Sequence, residues 1–164
     1  MVGPTNPAPG ERPVGVQRAH WRIPKDLFQR GWDTKTLLLA CYLLGCPIRT
    51  MEGLFWLPKA VMASALKWTE EELAEPFDRL FREGFLVYDD ELEIVFLTEA
   101  LTVQNTANDN MRIHSIRLLK TVQPTPLFDA LLAVAADFDP KLAQKMLRDM
   151  PERFTERSDQ WSTQ

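Results

Sequence analysis

The chain has 164 residues, of which 45% are hydrophobic and 26% charged, a composition that provides for a buried core and excludes global disorder. Two cysteines and two histidines are too few for a disulfide scaffold or a zinc knuckle, and no apolar run approaches the ~20 residues that cross a bilayer, so we expect a cytoplasmic protein. The formal net charge of −4 is unevenly spread, because residues 1–32 carry five basic and two acidic side chains whereas residues 33–97 carry six basic and twelve acidic ones.

The first part of the chain predicts an unstructured arm followed by a buried helix. Residues 1–17 are rich in proline and glycine and contain almost nothing large and apolar, which is typical of disorder. Asp33 is a good N-cap, and residues 37–44 are apolar on every face, which predicts a buried helix that Gly45 and Pro47 end. Residues 48–57 suit a short strand or an extended connector.

Two further helices are predicted on either side of a tight turn. Pro58 suits the first turn of a helix that runs to about Leu66, with an inner stripe of Val61, Met62, Ala65 and Leu66. Thr69 and Glu72 then have the spacing of a capping box at the start of the next helix, which ends at Gly84. Pro76 predicts either a kink in that helix or the start of a new segment.

The remaining elements are a hairpin and three helices. Residues 85–88 and 92–97 are β-branched or aromatic on either side of a short charged tip, which predicts a β-hairpin. Helical patterns cover roughly residues 109–121, 126–138 and 140–150, and Leu127, Leu131, Val134 and Phe138 fall on one apolar face.

The order of these elements predicts a mainly α protein with a small β-hairpin (α+β), that is, a winged helix-turn-helix followed by a C-terminal helical extension. The expected division is a disordered arm (residues 1–17), a winged-helix domain (18–110), a helical extension (111–151) and a flexible tail (152–164).

Several short motifs resemble one known family. Four segments follow one another in the chain: Gly53-Leu54-Phe55-Trp56-Leu57-Pro58, then Leu80-Phe81-Arg82-Glu83-Gly84, then Tyr88-Asp89, and then an asparagine-bearing segment with Asn105, Asn108 and Asn110. From about Trp32 to Asn110 the sequence resembles the N-terminal winged-helix domain of DnaD-like replication initiators and replisome organisers of bacteriophages. The resemblance implies a role in DNA replication, with DNA or a replication, helicase or recombination protein as partner.

The predicted third helix and the hairpin tip are acidic, unlike the surfaces with which winged helices read DNA. The residues concerned are Glu70, Glu71, Glu75, Asp78, Asp89 and Asp90. Phosphates would repel them. They either stabilise a helix N-terminus or form a surface that docks on a basic protein, in which case the chain is a protein-interaction module without direct DNA binding.

Basic residues are concentrated in two other stretches, which are the candidates for DNA binding. They are Arg18, Arg22 and Lys25 before the first helix, and Asn108, Arg112, His114, Arg117 and Lys120 around residues 108–121. His114, Arg117 and Lys120 follow at three-residue intervals and share one helix face. The alternative is a merely solvated face with asparagines that serve as caps and turns.

Nothing in the sequence indicates catalysis. The glycines form no phosphate-binding loop, the histidines have no metal-ligand spacing, and Cys41 lies in apolar sequence, where a thiol is unreactive. We therefore expect no enzyme activity, no metal and no cofactor. The apolar stripes of residues 126–150 leave homo-oligomerisation open.

Overall fold

The computed structural model describes residues 22–104 and 108–154. These residues form seven α-helices, three β-strands and two short 3₁₀ segments, Leu27–Gln29 and Pro151–Arg153. In chain order the elements are α1 (Thr34–Gly45), β1 (Leu54–Trp56), α2 (Lys59–Leu66), α3 (Glu70–Arg82), β2 (Leu86–Asp89), β3 (Ile94–Leu97), α4 (Ala100–Gln104), α5 (Asp109–Leu119), α6 (Leu127–Phe138) and α7 (Pro140–Asp149). The predicted arm of residues 1–17 lies outside the described part of the chain.

Local side-chain chemistry accounts for where α1 and α3 begin. The Asp33 carboxylate accepts a hydrogen bond from the Thr36 backbone N–H at the start of α1. At α3 the capping box is complete: the Thr69 hydroxyl accepts from the Glu72 N–H, and the Glu72 carboxylate accepts from the Thr69 N–H at 2.8 Å. α3 continues through Pro76 as one helix, so no new segment starts there.

The strands form one antiparallel sheet in the order β1-β3-β2. The predicted hairpin is confirmed, with Leu86 opposite Leu97 and Asp89 opposite Ile94. β1 pairs with the other edge of β3 and makes the sheet three-stranded. Gly53, at φ +78°, lies just before β1 and close to the start of α4, where a Cβ would lie 2.5 Å from the Ala100 Cβ, closer than such atoms pack.

The first hydrophobic core lies between helices α1–α3 and one face of the sheet. Its buried side chains include Leu39, Leu43, Phe55, Met62, Phe77, Leu80, Val95 and Leu97. Near it, Arg30 donates to the Glu99 carboxylate at 2.6 and 2.7 Å and ties the segment before α1 to the start of α4.

The second core covers the opposite face of the same sheet. Helices α5, α6 and α7 pack there, and the buried side chains include Leu54, Ile94, Phe96, Ile116, Leu119, Phe128, Leu131 and Met146. Successive residues of β3 alternate between the two cores, as side chains of a strand must, so all four are buried. The predicted C-terminal extension therefore completes the burial of the hairpin.

The structure corrects several burial predictions. Helix α1 was expected to be buried on every side, but Leu38 is exposed. In α2, Val61 and Ala65 of the predicted inner stripe are exposed, and Ala63, which was not part of that stripe, is buried. Phe138, expected on the apolar face of α6, is 62% exposed.

The flexible tail expected from residue 152 also needs correction. Phe154 packs edge-on against Phe128 at 6.2 Å between ring centroids, and Arg153 lies over the same ring. Phe154 therefore packs against the second core, whereas Glu152 is exposed.

The described residues thus form a mainly helical α+β fold with a small antiparallel sheet. Within these residues, the structure contains no helix with the length and apolar character needed to cross a membrane.

Candidate functional site

The basic stretch predicted around residues 108–121 folds as α5. Its N-cap is Asn108, whose side-chain oxygen accepts the Met111 N–H at 2.9 Å, so the predicted capping role of an asparagine is confirmed at this position. Arg112 is turned toward the protein: its Nε donates to both Asp139 oxygens at 3.0 Å and another nitrogen pairs with Asp109 at 2.8 Å. Of the predicted DNA-binding residues, Arg112 is therefore engaged in joining α5 to α7.

The other three basic residues predicted for this helix remain on the surface. His114, Arg117 and Lys120 are all exposed, and no ion pair in the described parts of the chain involves any of them. Their spacing keeps them on one side of the helix.

Helix α7 adds further cations beside the C-terminal end of α5. Arg148 pairs with Asp149 at 2.8 Å and Lys145 pairs with it at 3.7 Å, and these two side chains, followed by Lys120, lower the pKa of the Asp149 carboxyl. Arg153 also donates to the Lys120 carbonyl oxygen at 3.0 Å. We use the name basic surface for Arg117 and Lys120 of α5 together with Lys145 and Arg148 of α7. These four cations outnumber Asp149, the carboxylate that lies among them.

The predicted basic segment before α1 is only partly described. Arg22 and Lys25 are exposed, and the Arg22 backbone N–H donates to the Gln104 side chain at 3.0 Å. Arg18 and Asn105 lie outside the described residues, so their predicted roles stay predictions.

The outer side of α3 is acidic. Glu70, Glu71, Glu75 and Asp78 are exposed, and none of them has an ion pair among the residues described. Beside them Phe81 is 50% exposed and, with Glu71, Glu75 and Asp78, lines a shallow groove of about 470 Å³. We call this set the acidic face.

Two acidic residues of the hairpin tip, Asp89 and Asp90, make contacts that stabilise the fold. The Asp89 carboxylate accepts from the Thr125 hydroxyl at 2.6 Å and from two backbone N–H groups of the turn, and these bonds lower its pKa. Asp90 pairs with Lys59 of α2 at 2.8 Å. Both side chains proposed for protein contact are thus held by contacts within the chain.

Two charged side chains of the loop after α1 are buried. Arg49 donates to the Leu44 carbonyl oxygen at 2.7 Å, and burial lowers its pKa to about 10. Glu52 is fully buried, and loss of solvation raises its pKa, while Ser115 and His114 of α5 act in the opposite direction. No sequence pattern around these residues predicted their burial.

The described residues show no arrangement suited to metal binding. No group of three or more His, Cys, Asp or Glu side chains within them is placed to hold an ion. Cys46 is buried and Cys41 half-buried, and burial raises the pKa of the Cys41 thiol, which disfavours the reactive thiolate.

Comparison with known protein families, with curated proteins and with solved structures found no match to the chain. Function is therefore argued from its surfaces. The sequence located the basic face of α5, but it missed the cations of α7 and the exposed Phe81, because their positions depend on packing between helices distant in sequence.

Proposed function

We propose that this chain is a non-enzymatic winged-helix protein that acts in DNA replication or its regulation, of the kind that bacteriophages encode, and that it binds DNA through the basic surface. The element order α1-β1-α2-α3-β2-β3 and the sheet order β1-β3-β2 support the winged-helix assignment. The short sequence motifs support the replication assignment.

The observation that carries DNA binding is the segregation of charge. Arg117 and Lys120 of α5 and Arg148 of α7 are exposed and outnumber the acidic residue beside them, Asp149. By contrast α3, the helix that contacts DNA bases in most winged helices, carries carboxylates on its exposed side. A duplex carries closely spaced phosphates, so it approaches the first surface and is repelled by the second. The contacts expected are with phosphates, which give affinity without strong sequence preference.

A structural role competes with this proposal. Cations in the last turn of a helix stabilise its C-terminus; Arg117 and Arg148 occupy the last turns of α5 and α7, and Lys120 is the C-cap of α5. The two roles differ in what their removal changes, because a cation that only stabilises helices affects unfolding and leaves DNA affinity intact.

The test is fluorescence anisotropy with a labelled duplex and a labelled single strand of the same sequence over a salt series. We expect binding at about 50 mM salt, and we expect R117Q/K120Q to weaken it and to reduce the slope of log affinity against log salt by roughly two. The matched control K35Q/R82Q removes two exposed cations from α1 and α3 and should leave affinity nearly unchanged. Absence of binding at low salt, or equal losses in both double variants, contradicts the proposal.

A second candidate function is favoured by the exposed Phe81 within the acidic face. Phe81 lies in a groove lined by three carboxylates and by Arg82, and an exposed aromatic side chain within a mainly acidic surface favours contact with a basic partner protein. The test is capture from nuclease-treated host lysate by the wild-type chain and by E71K/D78K. Loss of the captured basic protein in the variant, with DNA affinity kept or raised, supports this function; identical capture by both chains contradicts it.

A further inference from the structure

The short 3₁₀ segment before α1 carries an exposed aromatic ring. The Leu27 N–H donates to the Pro24 carbonyl oxygen at 3.2 Å, and the next turn closes in the same way between residues 29 and 26 at 2.9 Å. Phe28 is 66% exposed, the largest exposed fraction among the large apolar side chains that the structure describes. Its ring is therefore available to a ligand from solvent.

The backbone beneath this ring is anchored on both sides. Pro24 and Leu27 are buried. The Arg30 guanidinium donates to the carboxylates of Asp26 and Glu99 at distances between 2.6 and 3.2 Å, which ties the end of the segment to the start of α4. Because its neighbours are fixed in this way, the ring of Phe28 is held at the surface.

A basic side chain lies on the same side of the segment as the ring. In a 3₁₀ turn the side chains at i and i+3 lie over one another. The burial pattern follows this spacing, since Pro24 and Leu27 are both buried whereas Lys25 and Phe28 are both exposed. The Lys25 ammonium group is thus placed beside the aromatic ring.

The charge around the ring is positive. Arg22 and Lys25 are exposed, and neither forms an ion pair with another residue that the structure describes. In the sequence, residues 13–25 contain three lysines or arginines and no acidic residue. The acidic residue that follows, Asp26, is paired with Arg30 at 3.0 Å. An anionic ligand complements this surface.

An aromatic ring beside unpaired cations fits one kind of anionic ligand. A nucleic-acid strand supplies phosphates for the cations and the flat face of a base for the ring. The base must be unpaired, because inside a duplex both of its faces are already stacked on neighbours. A membrane or a protein contact needs a larger apolar area, and among residues 22–30 the other exposed apolar side chain is Ile23.

We propose that this segment binds single-stranded nucleic acid, with a base stacked on Phe28 and the adjoining phosphates held by Arg22 and Lys25. The inference rests on the proposed DNA-binding function and deepens it, since it assigns a second contact and a preference for unpaired strands. The two contacts differ in chemistry. The basic surface binds phosphates of either form of DNA, whereas the segment before α1 requires an accessible base.

The test is fluorescence anisotropy of the full chain with a labelled oligothymidylate of about 15 nucleotides. We expect F28A to bind this strand at least about fivefold more weakly than wild type, because stacking on the ring is lost. F28W should bind at least as tightly as wild type, because an indole ring also stacks. The matched control F138A removes another exposed aromatic ring, at the end of α6, and should keep wild-type affinity.

The role of the base is tested on the ligand, so that the fold is left intact. An abasic strand of the same length keeps the phosphates, and F28A and wild type should bind it equally. The inference is overturned if wild type does not bind the oligothymidylate, if F28A binds it like wild type, or if F138A or the abasic strand shows the same loss. Binding of wild type to vesicles of phosphatidylserine and phosphatidylcholine in place of the strand also overturns it.

The variant R117Q/K120Q separates this inference from the proposed function. If F28A loses affinity for the strand while R117Q/K120Q binds duplex like wild type, the inference holds and binding through the basic surface fails. If R117Q/K120Q loses affinity for duplex while F28A binds the strand like wild type, the basic surface holds and the inference fails.

Discussion

The side chain of Glu52 is fully buried beside Ser115 of α5. Loss of solvation is the largest influence on its carboxyl and outweighs the opposing effects of Ser115, Thr50 and His114, so the folded state favours the protonated acid and the pKa is raised. The folded chain then holds a proton that the unfolded chain releases above the ordinary value of 4.5. Stability is accordingly lost as pH rises from that value toward the raised pKa.

Replacement of Glu52 by glutamine should remove this dependence. We expect E52Q to unfold at higher urea concentration than wild type, with a larger difference at about pH 8 than at about pH 5. Urea denaturation at the two pH values measures it, with the exposed E75Q as control. The explanation is wrong if E52Q keeps the wild-type slope of stability against pH.

Which residue roles were predictable depends on how far apart in sequence the partners lie. Thr69 with Glu72, and Asn108 with Met111, are three residues apart, so the capping chemistry was visible in the sequence. Arg112, predicted to face DNA, instead pairs with Asp139, 27 residues away. No local pattern specifies that contact.

At the scale of elements, α5 and α7 lie side by side in the same direction. The Arg112–Asp139 pair joins their N-terminal ends, and Lys120 lies near Asp149 at their C-terminal ends. Parallel helices bring like ends of their dipoles together, which is unfavourable. Acidic residues at the shared N-terminal end and cations at the shared C-terminal end offset this repulsion.

The start of α3 depends on its capping box, which the structure shows complete. We expect T69A to lower the free energy of unfolding by about 1 kcal/mol, because the Glu72 N–H loses its partner. Urea denaturation measures the loss, and S64A, at an exposed position of α2, is the control. Equal stability of T69A and wild type would show that the cap contributes nothing.

The helix and hairpin positions followed from short-range signals, since caps, prolines and periodicity act within a few residues. The pairing of β1 with β3 was not specified, because residues 48–57 fitted either a strand or a connector. Exposure was the least predictable property: Phe138 fits the apolar stripe of α6, yet α7 turns away after Asp139 and leaves it uncovered.

At the scale of the whole molecule, the three-stranded sheet belongs to both cores. Val95 and Leu97 pack on α1–α3, whereas Ile94 and Phe96 pack on α5–α7, so loss of either set of helices exposes one face of β3. The predicted boundary at residue 110 therefore separates elements that stabilise each other.

Shared burial predicts one cooperative unfolding transition. L131A, in the second core, should lower the free energy of unfolding by about 2–5 kcal/mol. It should shift the unfolding midpoints measured by tryptophan fluorescence and by far-ultraviolet circular dichroism equally, although Trp32 and Trp68 pack against the first core. Two separate transitions, or a fluorescence midpoint that L131A leaves unchanged, would show that the cores fold independently.

The most direct test of the central claim is a titration of the ¹⁵N-labelled chain with duplex DNA, followed by amide and side-chain NMR shifts. DNA binding through the basic surface predicts the largest shifts at Arg117, Lys120 and Arg148, with little change at Glu71 and Asp78. Shifts confined to α3 and the hairpin tip, or no shifts at low salt, would contradict it.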